Sequence, residues 1–179
     1  MKKIVLLCLL CITVGAKAQN NIKLPLKDST VLYANTIQAT STSDKLFTDA
    51  QTWLSDNFKD TKSFISANDK DNLKLTGKGY ILYLPGNNDP DTFLTYNIDI
   101  TIKNGSYSYK VYDIGYEYGN VNRNISEEYS HYLHGEVHKN SLIESKKSAR
   151  RRLEAEFVFA DQSFIGLVNS LKQAIGGTN

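Results

Sequence analysis

The chain has 179 residues, a formal net charge of +2, 41% hydrophobic residues and 22% charged residues. These values favour one globular domain and exclude a disordered or collagen-like chain. Two cysteines are too few for a disulfide-rich scaffold.

Residues 1–18 have the pattern of an export signal. Two lysines precede a short apolar run from Ile4 to Gly15, and Ala16-Lys17-Ala18 fits cleavage after Ala18. The run is shorter than the roughly 20 residues that a membrane-spanning helix needs. The pattern therefore predicts a periplasmic or secreted protein with no transmembrane segment after cleavage.

Cleavage would change the composition of the chain. Both cysteines would leave, so the mature chain would have no disulfide and no thiolate metal site. Three of the 21 basic residues would leave as well, and the remaining 18 against 19 acidic residues give a net charge of −1. Nucleic-acid binding needs a concentrated basic surface, so it is not expected of this chain.

The mature chain is read as a polar N-terminal arm, residues 19–29, and a single domain over residues 30–179. Alternating apolar residues predict a first strand over 30–38. Steps of three and four then predict a helix over about 44–58, on the apolar residues Leu46, Phe47, Ala50, Trp53, Leu54 and Phe58. Trp53 is expected to anchor this helix on the sheet, with a partner for its indole N–H.

Four strands are expected next, joined as a meander over residues 62–68, 73–84, 92–103 and 106–114. The third is the clearest because apolar and polar residues alternate along it, and Asn104-Gly105 after it is a strong hairpin signal. Residues 85–91 have the composition of a loop. Gly77 and Gly79 share one face of the second strand, where we expect close approach of the helix, with a bulge as the alternative.

The C-terminal third is less regular. Residues 115–140 are predicted to form a loop, with a short helix within them as the alternative. Helical periodicity returns over 141–175 and does not distinguish one bent helix from two. The predicted fold is α+β, in the order β-α-β(4)-α, with a single antiparallel sheet, helices packed on one face and the other face solvated.

The three histidines of the chain are close in sequence, at His131, His134 and His138, with Glu136 between them. Spacings of three and four would place all three on one helix face, enough for a zinc site with one open position. Gly135 weakens such a helix, and the His-Glu-x-x-His pattern is absent. The alternatives are a surface segment rich in Tyr and His, or a pH-sensitive contact.

Tyrosines crowd the predicted strand 106–114 and its exit, at Tyr107, Tyr109, Tyr112, Tyr116 and Tyr118. Strand propensity explains them, but rings that emerge on the open sheet face would form a binding surface. The chain has neither a nucleophile elbow nor a phosphate-binding glycine loop, so we expect no catalytic residue and no cofactor besides the zinc considered above.

One basic cluster stands out, at Lys146, Lys147, Arg150, Arg151 and Arg152. Glu154 and Glu156 follow at i,i+4 spacing from two of these arginines. The cluster is typical of a solvated helix face, and the alternative is contact with an anionic surface such as lipopolysaccharide.

Two segments resemble motifs of an exported Bacteroidetes domain of unknown function with a TBP-like fold (DUF4468). Ala50 to Phe58 resembles the family's A-x-x-W-[LF]-x-x-x-[FY] helix, and Thr76-Gly77-Lys78-Gly79-Tyr80 resembles its x-G-[KR]-G-x strand. The likeness covers residues 30–114 and, loosely, 161–175. It implies the fold and export, but no activity, cofactor or DNA role, because function lies in sites and not in folds.

The expected function is non-enzymatic binding of a protein, peptide or glycan partner in the cell envelope. The outer sheet face or the tyrosine-rich segment would supply the surface. The alternatives are a metal-binding protein that uses His131, His134 and His138, or a structural component of the envelope.

Overall fold

The computed structural model describes residues 22–58, 63–83, 92–137 and 144–176. The predicted export signal, the predicted loop at 85–91 and His138 lie outside these residues. In chain order the elements are β1 (Leu26–Lys27), β2 (Thr30–Val31), β3 (Tyr33–Gln38), α1 (Ser43–Asn57), β4 (Phe64–Asp69), β5 (Lys74–Tyr83), β6 (Thr92–Lys103), β7 (Ser106–Tyr118), β8 (Val121–Asn124), α2 (Ile125–Leu133) and α3 (Lys146–Ala174).

The main sheet is antiparallel, with the strand order β3-β7-β6-β5-β4, and β8 pairs with the second half of β7. The predicted meander from β4 to β7 is present. The turn between β6 and β7 lies at Asn104-Gly105, where Gly105 has a φ of +71°. β3 pairs with the first half of β7, from Tyr33 opposite Val111 to Gln38 opposite Ser106.

The core lies between one face of this sheet and the helices. Every second residue of β6, from Leu94 to Ile102, is buried, because alternate side chains of a strand share one face. α1 begins at the N-cap Thr42 and buries the predicted apolar stripe. α3 lies on the same face, where the Phe164 ring contacts the rings of Tyr33 and Tyr96 at 5.1 and 5.3 Å. The predicted α+β class, with helices on one face, is confirmed.

The N-terminal segment, predicted to be a polar arm, contains packed structure. Its described part forms a two-stranded sheet with residues 30–31, and Leu24 is buried. Tyr129 of α2 holds this segment: its hydroxyl donates to the Ile22 carbonyl at 2.8 Å and accepts from the Leu24 N–H at 3.2 Å. The contact joins residues more than 100 positions apart, so local sequence does not reveal it.

The described part of the segment 115–140 is more regular than predicted. β7 continues to Tyr118, and β8 and α2 follow. Asn124 caps α2, its side chain accepting the N–H groups of Ser126 and Glu127.

The C-terminal helix is a single element of 29 residues. A continuous buried stripe runs along it, through Ala149, Leu153, Phe157, Ala160, Phe164, Val168 and Leu171. The helix passes through Asp161 without a break, and the carboxylate of this residue accepts the Tyr33 hydroxyl at 2.9 Å. Among the described helices, none combines the length and the apolar character that crossing a membrane requires.

Candidate functional site: the open face of the sheet

The face of the sheet turned away from the helices is lined by polar residues from β3, β5, β6 and β7. A β-bulge in β7 decides which tyrosines reach it. Asp113 has a φ of +50°, and the pairing of β6 with β7 shifts between Thr95 and Asn97. One extra residue in β7 therefore changes the face on which the following side chains lie.

The predicted tyrosine surface does not form, because the bulge and the strand alternation bury three of its five rings. Tyr107 and Tyr109 before the bulge and Tyr116 after it are buried in the core. Tyr112 is half-buried on the open face, and Tyr118, at the end of β7, is 42% exposed. Strict alternation would have placed Tyr112 and Tyr116 on the same face.

Asp99 lies in the middle strand of the open face and joins side chains from three strands. Its Oδ1 accepts hydrogen bonds from Thr76 Oγ1 on β5 at 2.9 Å and from the Tyr112 hydroxyl on β7 at 3.3 Å. Lys74 Nζ lies 3.4 Å from its Oδ2. We call Lys74, Thr76, Asp99 and Tyr112 the Asp99 cluster.

The Tyr112 phenol of the Asp99 cluster is partly withdrawn from water. Burial, with the Asp99 carboxylate second, raises the pKa of Tyr112 above its ordinary value. Beside it, Asn97 Nδ2 donates to Asp113 Oδ2 at 3.0 Å. These groups are aligned for hydrogen bonding. The cluster thus brings a carboxylate, two hydroxyls and an ammonium group together on the open face.

One end of the open face is aromatic. The rings of Tyr80 and Phe93 pack edge to face at 6.4 Å, and Lys78 Nζ lies 5.2 Å from the Tyr80 ring centroid. Leu82 beside them is 46% exposed.

The strand register places four basic and four acidic side chains on the face: Lys74, Lys78, Lys103 and Lys110, with Asp69, Asp99, Asp113 and Glu117. The face is therefore polar and balanced in charge.

Trp53 is buried, and its indole Nε1 donates to Ser170 Oγ on α3 at 3.0 Å. Ser170 Oγ in turn donates to the Leu167 carbonyl at 2.8 Å. The tryptophan thus ties α1 to α3 as well as covering the sheet.

Gly77 and Gly79 face aromatic rings. A Cβ atom at Gly77 would lie 2.3 Å from the Phe58 ring, and one at Gly79 would lie 2.1 Å from the Tyr96 ring. Phe58 is the C-cap of α1, whereas Tyr96 is the cross-strand partner of Gly79 on β6. At Gly77 the helix approaches the strand as expected, but only through the side chain of its C-cap residue. At Gly79 the space is filled by a ring from the neighbouring strand and not by the helix.

The helix expected to carry the histidines ends early. α2 ends at Leu133, and Gly135, with a φ of +77°, closes it: the Gly135 N–H donates to the Tyr132 carbonyl and the Glu136 N–H to the His131 carbonyl. These two bonds form a Schellman turn, which terminates a helix before position 138. α2 therefore does not supply the single helix face that the predicted zinc site needs, and His138 lies outside the described residues.

The two described histidines have other neighbours. His131 Nδ1 lies 2.6 Å from Glu136 Oε2, and His134 Nδ1 lies 2.7 Å from the Ser130 carbonyl oxygen. Within the described ranges, no group of three His, Cys, Asp or Glu residues has the geometry to hold a metal ion.

A half-buried ionic network was only partly visible in the sequence. The predicted pairs Arg150–Glu154 and Arg152–Glu156 are present at 3.1 and 3.2 Å. Arg123 of β8 joins the second of these pairs, with Nη2 2.9 Å from Glu156 Oε1. Burial alone would lower the pKa of Arg123, but the bond to Glu156 and the neighbouring carboxylates raise it. The network fastens β8 to α3.

Known proteins share this architecture. Residues 33–117 match the model of DUF4468, a domain of unknown function with a TBP-like fold. A TBP-like protein from Parabacteroides distasonis is similar in structure, with a TM-score of 0.59 and 18% sequence identity, over 83% of this chain and 96% of that one. A DUF4468 family protein from Bacteroides ovatus has a TM-score of 0.61 and 16% identity, over 87% of this chain and 91% of that one.

No match was found among curated proteins. At these identities the structural likeness establishes the fold alone. The predicted resemblance and the TBP-like fold are confirmed.

Proposed function

We propose that this chain, which carries a DUF4468 domain of TBP-like fold over residues 33–117, is an exported, non-catalytic domain that binds a glycan through its open sheet face. The Asp99 cluster carries the proposal. It presents a carboxylate, two hydroxyls and an ammonium group from adjacent strands, already aligned by hydrogen bonds. Groups ordered before binding lose less conformational entropy when a ligand arrives.

The chemistry of the face favours a sugar over other partners. Balanced charge gives little attraction for a nucleic-acid backbone, which needs concentrated basic residues. Protein docking sites usually present a larger apolar patch than the small one at Tyr80, Leu82 and Phe93. Carboxylate, hydroxyl and amide groups complement sugar hydroxyls. The adjoining rings offer a flat apolar surface for the C–H side of a sugar.

Export rests on the pattern of residues 1–18, and it would bring the open face to the cell envelope, where glycans are abundant. Cleavage after Ala18 would be seen as an N-terminal Gln19 on the protein recovered from the periplasm or the medium. An unprocessed chain that stays in the cytoplasm would contradict this part of the proposal.

A glycan array probed with the labelled chain, starting at Gln19, tests the binding. The double variant Thr76→Val/Tyr112→Phe removes both hydroxyls that bond to Asp99, and we expect at least about a tenfold loss of affinity. Thr52→Val on α1 is the matched control, because Thr52 bonds only its own helix at the Thr48 carbonyl. The proposal would be contradicted if the array retained no class of glycan, or if the double variant bound as tightly as the parent chain.

The metal-binding alternative makes a separate prediction. If that alternative held, zinc would raise the Tm of the parent chain, and His134→Ala would abolish the rise. Because α2 ends before position 138, we expect instead that zinc leaves the Tm of the parent chain unchanged.

A further inference from the structure

The first two turns of α3 form a basic surface that the open face does not involve. Lys146, Lys147, Arg150 and Arg151 are all exposed, and their spacing places them within an arc of roughly 140°. Ala149 on the other side of the helix is buried. We call these four residues the α3 basic surface.

The charges of this surface are poorly compensated. Arg150 is paired with Glu154, but within the described part of the chain Lys146, Lys147 and Arg151 make no ion pair. The first turn of α3 contains no acidic residue. Cations at a helix N-terminus oppose the helix dipole, so they do not stabilise the helix that carries them.

The side chains, and not the helix end, make the surface. Ser145 caps α3, its Oγ accepting the Ser148 N–H at 3.1 Å, so the protein itself occupies this terminus. The Arg150 guanidinium lies 4.6 Å from the Tyr132 ring centroid, and the Tyr132 hydroxyl donates to Glu154 at 2.9 Å. One cation is thus held in place. The next residue of α2, Leu133, is 54% exposed.

We propose that the α3 basic surface holds the protein against a membrane rich in phosphate-bearing lipid headgroups. A free phosphate ion would need donors that converge on one point, whereas these cations spread over a convex, exposed arc that suits an extended anionic surface. Leu133 follows Tyr132, which contacts Arg150, and an exposed leucine is the kind of apolar side chain that enters the interfacial layer. α3 lies on the helix side of the sheet, so the open face would stay accessible in the bound protein.

Co-sedimentation with vesicles tests this inference. The chain starts at Gln19, because the apolar run before it would insert by itself. The vesicles contain phosphatidylcholine with or without about 30% phosphatidylglycerol, at low and high salt. Binding is expected only to the anionic vesicles, and high salt should weaken it.

The triple variant Lys146→Gln/Lys147→Gln/Arg151→Gln should lower the partition coefficient roughly a hundredfold. The matched control Lys23→Gln/Lys27→Gln/Lys70→Gln removes the same charge from exposed positions elsewhere, and its binding should stay close to that of the parent. Three results would each overturn the proposal: no binding by the parent chain, equal loss in both triple variants, or full competition by inorganic phosphate at constant ionic strength.

Discussion

Replacing Gly79 by alanine tests the packing of the sheet against the helices. The added Cβ would lie 2.1 Å from Cζ of Tyr96, far inside van der Waals contact. The Tyr96 ring has little room to move, because Phe58 packs against it at 6.3 Å and Phe164 at 5.3 Å. The strain must therefore be taken up by a shift of the strand or of several rings.

Overpacking of this kind costs about 1–3 kcal/mol in the free energy of unfolding. For a domain of this size, the Tm should fall by roughly 3–10 °C. Urea unfolding of Gly79→Ala, followed by the fluorescence of the single tryptophan, measures the change. Gly166→Ala is the matched control. Its Cβ meets nothing within 4 Å on helix α3, so it should stabilise the protein by about 0.5–1 kcal/mol.

A double-mutant cycle identifies the cause. In a Tyr96→Ala background the ring is gone, so Gly79→Ala should cost at least about 1 kcal/mol less than in the parent chain. If Gly79→Ala costs nothing, or costs the same with and without the ring, the account of Gly79 as the space for Tyr96 is wrong.

Three further changes probe the core. Tyr107 has a buried hydroxyl with no hydrogen-bond partner among the described residues, and burial raises the pKa of this residue to about 12. Tyr107→Phe should therefore leave the urea midpoint unchanged or raise it. A clear fall in the midpoint would show that the hydroxyl does have a partner. Ser170→Ala removes the acceptor of the Trp53 N–H and should cost about 1–2 kcal/mol by urea unfolding, with Ser170→Thr as the variant that keeps a hydroxyl. Burial raises the pKa of Tyr33 and Tyr116, so both phenols hold their protons more tightly in the folded protein than in the unfolded chain. The resulting stabilisation is complete below about pH 10 and is lost as the pH rises above that value. A urea midpoint that does not fall above about pH 10 would contradict the assignment.

The local patterns of the sequence predicted most of the sheet and the first helix. β6 and the start of β7 follow strict alternation around Asn104-Gly105, and the stripe of α1 has the helical period. In these segments one face is buried and the other is exposed to solvent, so the period of the apolar residues reveals the type of secondary structure.

The burial of Tyr116 could not be predicted because it depends on one residue, whereas strand alternation alone accounts for the burial of Tyr107 and Tyr109. The bulge lies at Asp113, where a glycine would have been the usual signal for a positive φ, so β7 reads as a regular strand. The hydrogen bonds of Tyr129 to residues 22–24 and the partners of Asp99 depend on contacts between distant segments. Single-sequence patterns do not encode such pairings.

The position of α3 has a consequence for how the domain can be divided. The family match ends at residue 117, yet Phe164 covers Tyr33 and Tyr96, and Ser170 accepts the bond from Trp53. A truncated chain that stops at residue 117 would expose these aromatic side chains to water and would aggregate. The matched segment is therefore not expected to fold by itself, because its buried aromatic side chains need the cover that α3 supplies.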